Sequence, residues 1–112
     1  MDVVDVSIDN ILHDAAMYRW VKQNICDRQQ YSILKHVKRI PHRHDGSVGE
    51  LVASKIACIE KTMLESSFRA ISPIRIKIYK HTGYFEILDG RHRVVLAIKY
   101  NMETVPCIVV TD

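Results

Sequence analysis

The stretch from Tyr84 to Ile98 constrains this chain most, because one hydrophobic pattern gives way to another across five polar residues. Tyr84-Phe85-Glu86-Ile87-Leu88 alternates as a half-buried strand does, and Val94-Val95-Leu96-Ala97-Ile98 has the crowded apolar pattern of a buried helix. Asp89-Gly90-Arg91-His92-Arg93 therefore marks the point where a strand becomes a helix. The first N–H groups of a helix have no partner inside it and carry the positive end of its dipole. Asp89 suits an N-cap, Gly90 lets a ligand approach the backbone, and Arg91, His92 and Arg93 add donors in the first turn. Two arginines there oppose the dipole at a cost of about a few tenths of a kcal/mol each, which a bound anion would reverse. Phosphate is the anion this set fits. Salt bridges from both arginines to surface carboxylates are the alternative, and His92 has two open roles, ligand contact or a hydrogen bond to backbone. Arg93 is expected to contribute most to binding, since its forked guanidinium matches phosphate oxygens. At an exposed helix start, its loss should leave the fold intact.

Around this junction the rest of the chain reads as alternating elements. Val4, Val6 and Ile8 form a short first strand, and Asp9-Asn10 a turn. Met17, Trp20, Val21 and Asn24 fall at helical spacing from Ala15 onward, as do Tyr31, Leu34 and Val37 after the polar break at Asp27 to Gln30. Pro41 to Ser47 is a loop. Val52, Ile56, Ile59 and Met63 then make one stripe of a helix from about Val48 to Glu65, with Ser47 and Glu50 spaced as a capping box. Ile74, Ile76 and Ile78 alternate in a strand that returns through Lys80 to Gly83 into Tyr84, a β-hairpin. Asn101 suits a left-handed helix end, and Val105 to Val110 is a last, more apolar strand.

With 112 residues the chain has material for one domain and one core. Apolar residues at 47% and charged ones at 26% are the proportions of an ordinary globular protein, which argues against disorder. The net charge of +3 is too small and too dispersed to mark a nucleic-acid binder on its own. Cys26, Cys58 and Cys107 are odd in number and widely spaced, which fits a reduced compartment and buried thiols rather than a disulfide framework or zinc ribbon. No apolar run reaches the roughly 18 residues that span a bilayer, and no secretory leader opens the chain, so a cytoplasmic location is expected. His42, His44 and Asp45, with His36 nearby, lack a third and fourth ligand at metal-site spacing, and no metal site is expected there.

Taken together, Pro73 to Ile78, Tyr84 to Arg93, Ala97 and Val105 to Val110, with the upstream Glu50-Leu51-Val52-Ala53-Ser54-Lys55-Ile56, resemble the ParB/sulfiredoxin-like domain. The resemblance covers roughly the C-terminal two thirds and the first strand. It implies a compact α+β domain over residues 1–112, with a small mixed sheet of about four strands flanked by helices and a helical insertion at about 13–47. In that family the Gly-x-x-Arg turn cradles nucleotide phosphates, so the resemblance makes Gly90, Arg91, His92 and Arg93 the phosphate-binding set and ATP or CTP, with Mg2+, the expected cofactors.

The resemblance also sets limits on activity. Sulfiredoxins need a cysteine in this turn, where the present chain has Arg91, so sulfiredoxin chemistry is not expected. Partition ParB proteins extend into a helix-turn-helix module. Here the sequence ends at Asp112, soon after the last strand, and no base-reading element is expected. The family's Arg-bearing segment after the first strand corresponds loosely to Tyr18-Arg19. Phosphoryl transfer would need a carboxylate, for which Asp9, Asp14, Asp45 and Glu50 are available. Glu50 is the candidate catalytic residue, with helix capping an equal explanation. Two function classes follow: an NTP-binding domain with or without NTPase or phosphotransferase activity, or a DNA-backbone-binding protein, including a ParB-like nuclease, without NTP chemistry.

Overall fold

A computed structural model of the chain describes residues 2–24, 51–65, 71–79 and 83–111. The elements are β1 (Val4–Ser7), a 3-10 turn (Ile8–Asn10), α1 (Ala15–Asn24), α2 (Ala53–Glu65), β2 (Ile74–Ile78), β3 (Phe85–Asp89), α3 (Arg91–Lys99) and β4 (Thr104–Val109). The strands form one sheet in the order β1-β4-β2-β3, in which β4 runs parallel to β2 and antiparallel to β1, and β2 pairs antiparallel with β3. This is the expected α+β architecture, with a four-stranded mixed sheet and flanking helices. The second predicted helix near Tyr31 to Val37, the loop at Pro41 to Ser47 and the Ser47/Glu50 capping box lie outside the described residues, as do Glu50 and most of the expected insertion at 13–47.

Strand placement follows from composition. β4 is apolar on both faces and takes an inner position, with Val105 and Cys107 fully buried. β2 alternates as predicted at Ile74 and Ile76, both at 0% exposure, but Ile78 at the strand end is 56% exposed. Val4 is likewise exposed while Val6 and Ile8 are buried, because β1 is an edge strand. Opposed residues Lys77 and Glu86 form a cross-strand ion pair of 3.4 Å on the outer face of the hairpin.

α3 is the centre of the core. Its five consecutive residues Val94 to Ile98 are all fully buried, which an amphipathic helix on one surface could not achieve. It packs on β2 and β4 and is flanked by α1 and α2, whose buried stripes are Ala16, Met17 and Val21, and Ile56 and Met63. Burying each such aliphatic side chain is worth roughly 1.5–3 kcal/mol. Lys99 and Tyr100 both reach Glu60 of α2, at 2.6 and 2.8 Å, and tie the far end of α3 to its neighbour. That helix ends as its sequence predicts. Asn101 adopts φ 57°, and the N–H groups of Asn101 and Met102 donate to Ile98 and Ala97, a Schellman closure. α2 begins at Ala53, so Val52, placed on the helical stripe by spacing, lies just outside it and is exposed.

One crossing positions the site. Ile8 N–H donates to Glu103 at the start of β4, yet four residues later Leu12 N–H donates to Phe85 on the outer edge of β3. Four residues reach about 14 Å at most, whereas four strand spacings in a flat sheet would require about 19 Å. The sheet must therefore curl at this end. Ile11 then bridges Phe85 in parallel, so the chain runs beside β3 toward the same end that β3 itself reaches at Asp89.

Candidate functional site

β3 delivers the chain to Gly90, which has φ 115° and ψ 21° and forms the N-cap of α3 without any side-chain cap. Asp89, expected to cap the helix, does not. The left-handed turn at Gly90 moves the helix start one residue on, and the exposed Asp89 carboxylate reaches Arg93 at 3.4 Å instead. Glycine is required here by packing: a Cβ at this position would lie 2.5 Å from Ile74 Cγ2 and 2.8 Å from Ile74 Cβ.

The parallel run beside β3 brings Asp14 to the same point from the other side. Asp14 is buried, its Oδ1 accepts the Met17 N–H at 2.9 Å, and its backbone carbonyl accepts the Tyr18 N–H, so it is the N-cap of α1. Its Oδ2 is also 2.6 Å from Nε of Arg91, with Nη2 at 3.5 Å from Oδ1. The N-termini of two helices thus meet at one carboxylate and one guanidinium. Asp14 was one of four acidic residues considered by sequence, with nothing to distinguish it. The missed signal is its place immediately before the periodic run that starts at Ala15, where Asp is a preferred cap. Asp9 is exposed in the 3-10 turn, while Asp45 and Glu50 lie outside the described residues.

His92 takes one of its two expected roles: its Nε2 accepts the Val52 N–H at 3.0 Å, at the entrance to α2. Burial and the neighbouring charges of Arg91, Lys55 and Arg93 hold its pKa below the ordinary histidine value, so the ring is neutral and free to accept. Arg93 differs from expectation. It is not an exposed group at a helix start; its side chain is only 21% exposed, and Nη1 donates to the carbonyls of Pro73 at 2.6 Å and Ser72 at 3.3 Å. Those carbonyls precede β2, where the ladder has not begun, so the guanidinium supplies donors the backbone lacks. Arg93 also borders a cavity of about 340 Å³ against Ile59, Thr62, Met63 and Ile71.

Among the described residues no thiol enters the turn. Cys107 is buried in β4, its Sγ–H donates to the Val105 carbonyl, and burial pushes its pKa up to about 11. Cys58 is exposed on α2, and Cys26 lies outside the described residues. Tyr18-Arg19, matched loosely to a family segment, sits in the first half of α1, Tyr18 half-buried and Arg19 exposed. Among the described residues no helix is long and apolar enough to cross a membrane.

The site is therefore a junction of two helix starts held by Asp14 and Arg91, with His92 and Arg93 tying the same turn to α2 and to the approach to β2. No protein-family model matches this sequence, and no curated protein does. Among solved structures the fold is similar to that of sulfiredoxin from Arabidopsis thaliana, with a TM-score of 0.51 and 12% identity over 100% of this chain and 88% of that one. At that identity the likeness concerns the backbone alone, and the chain has the sulfiredoxin-like fold.

Proposed function

We propose that the protein binds the phosphates of a nucleoside triphosphate, ATP or CTP, at the turn formed by Gly90, Arg91, His92 and Arg93. The observation that supports this reading is the meeting of two helix N-termini with a guanidinium between them. Both helix ends direct partial positive charge at the same place, and an anion there is favoured by each. Arg91 is the side chain best suited to reach the ligand, because the Asp14 carboxylate that it pairs with lies at the start of the second helix. Arg93 and His92 are bound to backbone and hold the turn in shape. Binding without chemistry fits better than phosphoryl transfer. Asp14, the carboxylate paired with Arg91, already has both oxygens engaged and is a poor base for an acceptor hydroxyl, and Asp89 is turned to Arg93.

Isothermal titration with ATP and CTP, with and without magnesium, tests the proposal. The parent should bind a triphosphate, and Arg91→Ala should weaken binding about ten- to a hundredfold, the range for a charge-assisted hydrogen bond. Failure of the parent to bind either triphosphate would refute it. Phosphate release that depends on Arg91 would place the protein among the enzymes instead. A duplex DNA arm addresses the other function class: contacts to the DNA backbone would give affinity that falls steeply with salt and shows little sequence preference.

A further inference from the structure

We propose that Asp14 regulates this site as an internal competitor, occupying Arg91 until a phosphate displaces it. The inference rests on the phosphate-binding reading above and adds its regulation. Asp14 does two separable things. One oxygen caps α1 through the Met17 N–H, and the carboxylate charge holds the Arg91 guanidinium, chiefly through Oδ2 at 2.6 Å from Nε. The cap needs an acceptor oxygen but no charge, whereas the pair with Arg91 needs the charge.

The surroundings make the pair exchangeable. Asp14 and Arg91 keep 11% and 23% of their side-chain surface exposed, so the pair borders solvent. A phosphate arriving at the first turn of α3 meets Arg91 paired with the Asp14 carboxylate, whereas Arg93 is tied to the carbonyls of Ser72 and Pro73 as well as to Asp89. If Arg91 turns to the ligand, Asp14 keeps its cap on α1 and is left as a carboxylate between two helix N-termini, where a negative charge remains favourable. A ligand of higher charge displaces it more readily, which favours polyphosphate over orthophosphate.

Asp14→Asn separates the two roles, because Asn caps a helix about as well as Asp and carries no charge. Inorganic tripolyphosphate in the presence of EDTA is the probe, titrated into the parent, Asp14→Asn, Arg91→Ala and the double variant. The expected result is about tenfold tighter binding by Asp14→Asn than by the parent, and no gain from Asp14→Asn when Arg91 is already alanine. A gain that persists in the Arg91→Ala background would show simple repulsion between Asp14 and the ligand and would overturn the competition. Equal or weaker binding by Asp14→Asn overturns it as well, while leaving the phosphate site standing if the parent binds. Absence of binding in both parent and Asp14→Asn removes the phosphate site and the competitor together. Binding by Asp14→Asn alone would support the competitor in its strongest form. Should Asp14→Asn fail to fold, the Arg91 Nε–H resonance of the parent decides: it should shift on saturation with tripolyphosphate, and an unmoved resonance in a saturated sample refutes the exchange.

Discussion

Replacing Gly90 by alanine tests the geometry of the turn more directly than any charge change. The new Cβ would sit 2.5 Å from Ile74 Cγ2 and 2.8 Å from Ile74 Cβ, and Ile74 is fully buried, so it has no open space into which to withdraw. The backbone at φ 115° is also one that residues with a Cβ rarely adopt. Strain of about 1–3 kcal/mol from the backbone and a further 1–3 kcal/mol from overpacking, less about 0.4–1 kcal/mol gained by stiffening the unfolded chain, leaves a net loss of roughly 1.5–5 kcal/mol. Against a typical total of about 5–15 kcal/mol this is severe. Urea unfolding followed by circular dichroism should show the midpoint falling by on the order of 1 M with an unchanged slope. Gly83→Ala is the control, since Gly83 also has positive φ, at 81°, but among the described residues beyond its chain neighbours no atom lies within 4 Å of its built Cβ. It should lose only the backbone part, about 1–2 kcal/mol. Combining Gly90→Ala with Ile74→Ala should cost less than the sum of the two, because the second change removes the nearest clashing atom. A Gly90→Ala variant no less stable than Gly83→Ala, or strict additivity with Ile74→Ala, would show that contact with Ile74 does not dictate the glycine.

Three further outcomes concern Arg93 and His13. Arg93→Ala should lower stability by roughly 1–2 kcal/mol, the worth of a charge-assisted hydrogen bond to the Pro73 carbonyl at partial exposure; a melting curve indistinguishable from the parent would return Arg93 to the role of a free ligand-binding group. Arg93→Lys should recover only part, since a point-like ammonium lacks the fork by which Nη1 reaches the Ser72 and Pro73 carbonyls while Nη2 reaches Asp89. His13 is fully buried, and burial lowers its pKa from 6.5 to about 4 against a smaller opposing pull from Asp14. The unfolded chain then takes up the proton first as pH falls, so the stability contributed by neutral His13 is complete above about pH 6.5 and is lost as pH drops to about 4. A shift of this size corresponds to about 3 kcal/mol. Urea midpoints at pH 7.5 and 4.5 should therefore diverge more in the parent than in His13→Leu, and parallel profiles would refute the assignment.

The sequence alone determined the order and kind of most described elements, because burial on one side imposes a period that residues must obey. Alternation at Ile74 and Ile76 and at Tyr84 to Leu88 matches a hairpin with one buried face, and five crowded apolar residues after Arg93 match a helix enclosed on several sides. Asn101 was legible for the same local reason, since few residues tolerate a left-handed helix end. The partners of the charged turn were not legible. Periodicity tells which face of an element is covered and is silent about what covers it. Arg91 and Asp14 are far apart in sequence and meet only because the sheet curls and the chain runs back beside β3. Arg93 looked exposed because nothing local reveals that the carbonyls of Ser72 and Pro73 lie under its guanidinium. Gly90 could be read from sequence as a glycine that leaves its backbone open to close approach, but that Ile74 fills the space of its missing side chain depends on β2 and β3 packing in one register, which only the tertiary structure sets.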